Sequence, residues 1–590
     1  MDPFGAVSVA EKVISVGWTL GGYPKVSLSE IPWIMERPEY RSWNFDIHSW
    51  DMLDHLLKAY SESGLDKYLK PAVSVALEWC NRFSLDACSD DSMAWYDMAV
   101  GVRAYRLAYI IDATDQTQFL EIGQRELLWL RLMEHQQYLS NDKNIMFHNN
   151  HGYFQAAGQI AMGRRFKTKC ETMRQAYEQG YVRLKQMLDQ QFAADGVHKE
   201  HSPDYHRMVF DTLRALIDAG LIEDQSTIKF SETIELALSW FILPNQHIAN
   251  FGDSDYRCMH RKPEEALRKW QTPQMQFLIS SGGVGQPPEN GLAIFKEGGF
   301  YIVRKENSYI AQIAAFHSRT HKHADDLSFI WSDKGSDILV DAGRYGYIGK
   351  TEQGSELWLD GHWYADPNRI YCESTRAHNT LEFDEKNYPR RGVKPYGSAI
   401  QRWVEHDSGL YALETECKHF GSIRHARVLL FMPGRWLVVF DWFHDNLCES
   451  HDVRQWFHLA PNLCLEKEER CYSTILPNGE SLKVVSLLAE ATPSDLYIGA
   501  ETPRLQGWWS PKERELIPNY AFCYEQKGIP AGVFASLFSF SGTVQPNFSR
   551  SRVNSSGRKG QFEWLDDFGT HTIRLERPKE GAMEVFYERK

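Results

Sequence analysis

Four short runs of the chain concentrate side chains that can donate, accept or carry a proton. The first is Phe147-His148-Asn149-Asn150-His151-Gly152. An asparagine amide can donate to a carboxylate, and a protonated histidine can neutralise one. The same residues also suit a helix cap with surface histidines beside it. The second run is His198-Lys199-Glu200-His201-Ser202-Pro203-Asp204-Tyr205-His206-Arg207. Ser202 followed by Pro203 reads as a helix start, with the serine at the cap and the proline at the first helical position. Tyr205 can serve as acid or base, but a free phenol has a pKa of about 10 and needs a cationic neighbour to ionise. His201, His206 and Arg207 are the neighbours on offer.

The third run extends from His317 to Phe329 and contains His321-Lys322-His323-Ala324-Asp325. On a strand, His321 and His323 would share one face. Asp341 follows the apolar Ile338-Leu339-Val340, and the fourth run is Ala377-His378-Asn379-Thr380. Two imidazoles and a carboxylate drawn from these residues suit a divalent metal ion.

The elements that must position these runs differ along the chain. Up to about residue 285 the apolar period is helical. Leu53, Leu56, Leu57 and Tyr60 stand at i, i+3, i+4 and i+7. The segments 70–83, 93–111, 124–135, 173–192, 208–219 and 231–241 read alike, joined by short loops that carry Gly, Asp or Asn. Serial helix pairs over this length suggest a toroid or solenoid of hairpins without a strict repeat. After the Gly- and Pro-rich stretch 280–291 the period becomes two. Residues 299–304 and 309–316 flank Lys305-Glu306-Asn307 as a hairpin, and 327–331 with 337–341 flank Asp333-Lys334-Gly335. A third hairpin joins 427–432 to 436–440 through Pro433-Gly434. Helices first and strands afterwards describe two domains, 1–285 and 286–590, rather than a mixed α/β sheet. The second is expected to be an antiparallel β-sandwich.

Composition narrows the function. The 590 residues are 43% hydrophobic and 24% charged, which is ordinary for a globular protein. The net charge is −13 with no Lys/Arg-rich run, so nucleic acid is not an expected partner. A polyanion would have to meet a local basic cleft in an acidic body. Arg319, Lys322, Arg344, Arg376, Arg390 and Arg391 could supply it, and Tyr345, Tyr347, Trp358 and Trp363 could stack on sugars. The 10 cysteines are scattered and without CxxC, which reads as mostly free, buried thiols. The N-terminal MDPFGAVSVAEKVISVGW lacks the basic start and unbroken apolar core of a signal peptide. No apolar run approaches the roughly 18 residues of a membrane span. The expectation is a chain with no membrane partner, cytoplasmic as given, or periplasmic or secreted if a leader once preceded it.

Taken in order and with their gaps, the four runs resemble the heparinase II/III family of polysaccharide lyases. The residues that carry the likeness are Asn150-His151-Gly152, Ser202-Pro203-Asp204-Tyr205-His206, the stretch from His321 to Phe329, Val340-Asp341-Ala342-Gly343 and Ala377-His378-Asn379-Thr380. The likeness covers most of the chain, and the family includes alginate lyases of the same plan. It implies an incomplete (α/α) toroid followed by antiparallel β-sheets, and β-elimination on a uronate-containing, anionic polysaccharide. It also implies roles. Asn150 and His151 neutralise the uronate carboxylate, Tyr205 is the catalytic acid/base and His321 the second catalytic position. His323, Asp341 and His378 hold one divalent metal ion, zinc or manganese, in a mainly structural role. Arg103, His148, Asn149, His201, Arg207, Arg319 and Arg344 are candidate substrate contacts. For Arg103 an ion pair with Asp97 is the competing reading.

Three other functions fit some of the same residues. A glycoside hydrolase on an (α/α) toroid would need two carboxylates astride the bond, from Glu200, Asp204, Asp253 or Asp255. A non-catalytic glycan-binding protein would keep the fold without turnover. A cupin-like metalloenzyme would use an open metal site. Among polymers, glycosaminoglycans are favoured over alginate, because His151 and His321 together could serve both uronate epimers. Oligomeric state is left open.

Overall fold

The computed structural model describes residues 3–34, 40–87, 93–117 and 119–590. It is helical as far as Ile279, and its first strand begins at Gly291. The chain therefore runs from an incomplete (α/α) toroid into antiparallel sheets. Compact packing divides the chain differently from secondary structure. One unit holds 1–191, 208–231 and 347–349, and the other holds 192–207, 232–346 and 350–590. The short segment 192–207, with Tyr205 on it, thus packs with the strand-rich unit although it lies among helices in sequence.

In the helical unit the apolar stripes meet in one core, built around Trp50, Leu56, Trp79, Leu107, Leu132 and Phe166. The helix Asn150–Phe166 carries glycines at 152, 158 and 163, which hide its period from a sequence reading. Two of them are used for close approach. A Cβ on Gly152 would meet the Met146 carbonyl, and one on Gly158 would meet the backbone of Gly101 on the helix Asp97–Thr117. The run 147–152 forms the first turn of this helix and the loop leading into it, as a helix cap with histidines beside it would.

In the other unit the three expected hairpins form, with strands Phe300–Lys305 and Ser308–Ile313, Phe329–Asp333 and Ser336–Leu339, and Ile423–Met432 and Trp436–Asp445. The last pair lies in the middle of an eight-stranded antiparallel sheet. Leu429, Phe431, Leu437 and Val439 pack on one face with Trp331, Phe457 and Phe522. Val428, Leu430, Val438 and Phe440 pack on the other with Phe562, Trp564 and Ile573 of a C-terminal sheet. Burial of both faces explains why Val428-Leu429-Leu430-Phe431 is continuously apolar rather than alternating.

Nine cysteines among the described residues are unpaired. Only Cys80, Cys372, Cys417 and Cys523 are buried, fewer than expected, and Cys88 lies outside the described residues. No helix among the described residues is long and apolar enough to cross a membrane.

Candidate active site

In the helical unit, the Asn149 side chain caps the helix Asn150–Phe166 by accepting from the His151 backbone N–H at 2.9 Å. Gln191 holds the Asn149 carbonyl at 2.7 Å. Asn150 is buried at the first helical position, and His148 is exposed just outside. His151 is partly exposed, with its Nδ1 3.0 Å from the Asp97 carboxylate. The pairing fixes the imidazole rotamer, and in the doubly protonated ring Nε2 remains as a donor.

Arg103 does not reach solvent. It is completely buried, stacks on Trp79, and donates to His135 at 3.0 Å and to the His48 carbonyl at 2.6 Å. That placement makes it a fastening of the helical core and speaks against the expected substrate contact. Its expected rival pairing fails too, since Asp97 faces His151.

In the strand-rich unit, Ser202 Oγ accepts from the Tyr205 N–H at 3.2 Å, and the helix Pro203–Asp218 starts as the sequence indicated. The Tyr205 ring lies flat on the His321 imidazole, with centroids 3.6 Å apart and planes 20° from parallel. His321 Nδ1 is 2.9 Å from the carboxylate of Glu200, which is buried. The segment carrying His321 is irregular, not a strand, so His321 and His323 do not share a strand face. His321 has a φ of 54° and His201 a φ of 64°. Both are left-handed conformations that non-glycine residues adopt at some cost, typical of functional loops. Gly252 is needed beside them, because an added Cβ there would meet the His321 carbonyl.

The cationic neighbours expected for Tyr205 are otherwise engaged. His201 Nε2 accepts from the His317 backbone N–H at 2.9 Å. Burial, with His317 and Lys322 nearby, holds its pKa well below the usual histidine value, so it is a neutral strut between loops. His206 turns to the Ile234 carbonyl, and burial pushes its pKa down to about 3. Arg207 pairs with Asp204 at 2.8 Å. Arg344 pairs with Asp255 at 2.7 Å and with Glu513. Of the other basic candidates, Lys322 is buried against Asp325 and Arg390 against Glu373. Arg319 remains half-buried over Trp363.

His323, Asp341 and His378 are fully buried and come together, with one ligand atom from each lying within 4.8 Å of the others. The donor chemistry is consistent with a cation. His323 Nε2 is held by Asp253 at 2.9 Å and His378 Nδ1 by Asp341 Oδ2 at 3.0 Å. The opposite atoms, His323 Nδ1, His378 Nε2 and Asp341 Oδ1, are buried without a hydrogen-bond partner. Three unpartnered acceptors in so small a space are unfavourable unless something positive is shared between them. Behind them, Asp253 also pairs with Arg369, which pairs with Glu373 at 2.6 Å. Burial alone would raise the Asp253 carboxyl, but Arg369 and His323 hold it well below the usual range.

Glu200 is the residue whose role the sequence reading missed. The sequence points to it only as one of the carboxylates a hydrolase would need, although its position one residue from His201 in a histidine-rich run is a usable signal. The carboxylates named for a hydrolase all face bases. Glu200 meets His321, Asp204 meets Arg207 and Arg257, Asp253 meets His323 and Arg369, and Asp255 meets Arg344. Burial raises the Asp204 carboxyl, yet its two arginines bring it below the ordinary value, unlike a general acid that must keep a proton.

Comparison with known proteins follows the same lines. The model described as heparinase II/III N-terminus matches residues 19–274, and that described as heparinase II/III-like, C-terminal, matches 287–521. The chain is 20% identical over 514 residues to a heparin-sulfate lyase of Bacteroides thetaiotaomicron, covering 78% of this chain and 68% of that protein. It is 22% identical over 446 residues to a heparin-sulfate lyase of Bacteroides stercoris, covering 69% and 62%. Among solved structures, Heparinase III has a TM-score of 0.76 at 14% identity, with 98% of this chain and 91% of that one covered. A mutant of the heparan sulfate lyase HepC from Pedobacter heparinus gives 0.69 at 19%, covering 98% and 90%. At these identities the structural likeness speaks for the fold.

Proposed function

The chain belongs to the heparinase II/III-like family, and from that premise we propose that it is a lyase that cuts a glycosaminoglycan by β-elimination. The observation that carries the reading is the stacked Tyr205–His321 pair with Glu200 behind the imidazole. The names of the heparin-sulfate lyase relatives support the polymer class.

The chemistry proposed needs the C5 proton of a uronate removed while the C4–O4 bond breaks. The electrons of the C5–H bond form the C4=C5 double bond, and O4 leaves with a proton. A carboxylate beside C5 resists more negative charge, so donors must stabilise the enediolate. Asn150 and a cationic or donating His151 are assigned that role, and preorganised donors of this kind contribute roughly 2.7–4 kcal/mol each. Tyr205 takes the C5 proton as tyrosinate and returns one to O4 as tyrosine. For the epimer with the opposite C5 proton, His321 is the base and Tyr205 the acid. Glu200 accepts from His321 Nδ1–H, which leaves Nε2 as the basic nitrogen.

His323, Asp341 and His378 would hold the divalent cation, zinc or manganese. A bound cation there would neutralise the buried donors and fix the segment from which His321 projects. Asp253 and Arg369 orient the ligands from behind.

The test is an ultraviolet product assay over a panel of uronate polymers. A lyase leaves a double bond conjugated with the carboxylate, whereas a hydrolase leaves none. Tyr205→Phe is expected to lower kcat by about 10²- to 10⁴-fold, the usual weight of a general acid/base. Full activity in that variant would remove the assigned residue, and saturated products would remove the reaction.

A further inference from the structure

Two cations in the strand-rich unit, Arg319 and Arg391, are stacked on indoles and have no carboxylate partner among the described residues. Arg319 lies two residues before His321, and its guanidinium is stacked on the Trp363 indole, 3.8 Å from the ring centroid. No side-chain hydrogen bond or ion pair joins it to any described residue. Arg391 lies over Trp358 and donates only to the Trp358 carbonyl, at 3.3 Å. A guanidinium stacked by its face keeps its N–H groups in the plane, free to make paired bonds to an oxyanion.

The shelf that carries these residues is anchored. Ser355 caps the short helix Glu356–Leu359. A Cβ on Gly361 would meet the Cβ atoms of Arg390 and Arg391, so this turn packs directly on them. His362 is buried and held by Glu373 at 2.5 Å, while the next residue, Trp363, is 47% exposed. A fixed, exposed indole beside two unneutralised cations is an unusual surface for a chain of net charge −13. Burial, followed by the like charges of Arg391 and Arg390, lowers the Arg319 pKa to about 10. An anion placed here would relieve that repulsion.

We propose that Arg319, Arg391 and Trp363 form a subsite for an oxyanion-bearing sugar, the indole taking the ring and the guanidinium groups taking its sulfate or carboxylate. The subsite rests on the lyase reading, and it would bind a residue of the polymer other than the one that reacts. Arginine pairs well with planar or tetrahedral oxyanions because two parallel N–H groups match two oxygens.

The experiment measures binding apart from turnover. In a Tyr205→Phe background, the affinity for heparan sulfate oligosaccharides and for their desulfated counterparts is read by calorimetry, with and without Arg319→Gln, Arg391→Gln and Trp363→Ala. Each arginine variant is expected to weaken binding by about tenfold or more, as for loss of a charge-assisted hydrogen bond. Loss confined to the sulfated ligand identifies a sulfate as the bound group, and loss on both identifies a carboxylate. Unchanged affinity for both ligands in both arginine variants would overturn the subsite. The wild type is assayed alongside for unsaturated product. Its failure on every uronate polymer would overturn the lyase reading, while the binding comparison still decides the subsite.

Discussion

Glu200→Gln isolates the charge behind His321. The Glu200 carboxylate is 2% exposed and 2.9 Å from His321 Nδ1, whose side chain is 12% exposed, so water screens the pair little. Glutamine keeps the size and an oxygen that can still accept from Nδ1–H, but it removes the negative charge. A hydrogen bond to a charged group contributes about 1.5–3 kcal/mol. If that interaction orients the imidazole and supports its cationic form during proton transfer, kcat should fall by about ten- to a hundredfold. Glu200→Ala removes the acceptor as well and should fall further. The assay is the initial rate of ultraviolet-absorbing product on saturating polymer, with thermal unfolding measured on the same samples. A loss of rate at unchanged Tm is the expected pattern. Wild-type kcat in both variants would refute the reasoning, because a buried carboxylate at this distance cannot then matter to His321.

Further expectations concern stability and the metal. Chelation should lower Tm and re-addition of zinc or manganese should restore it, since a ligand present at about 1,000 times its Kd stabilises by about 4 kcal/mol. Metal analysis of the purified protein that finds none, with a Tm insensitive to chelator, would count against the cation. Gly101→Ala should destabilise by about 1–3 kcal/mol through overpacking, because the new Cβ would meet the backbone of Gln155, and it should impair activity by displacing the helix that carries Asn150 and His151. Denaturation midpoints and product rates check the two parts separately. Stability should also fall as pH drops below about 6.5, the ordinary histidine value. Burial lowers His48 to about 4 and His206 to about 3, so the unfolded chain takes up their protons before the folded chain does. Each contributes a slope of roughly 1 kcal/mol per pH unit until its folded pKa is reached. A urea midpoint that stays flat between pH 7 and 5 would argue against buried, neutral imidazoles.

The sequence by itself determined the change from helix to strand, the three hairpins and the start of the helix at Pro203. Those features rest on local periodicity and turn chemistry, which neighbouring residues encode. It also supplied the candidate residues, since His323, Asp341 and His378 stand in short motifs whose side chains suit metal ligation. Partnership was not legible there. That Arg103 is sealed among Trp79, His48 and His135, that His206 faces a carbonyl in an apolar pocket, and that Glu200 rather than a basic residue stands behind the ring stacked on Tyr205 depend on contacts between residues 24 to 121 positions apart. The glycine-rich helix Asn150–Phe166 was hidden for a related reason. Its glycines mark where another backbone must approach, and that requirement is set by the neighbouring helix, not by the segment that carries them. Titratable side chains take their charge state and direction from whatever packs against them, so tertiary structure alone could decide which of them are struts and which face chemistry.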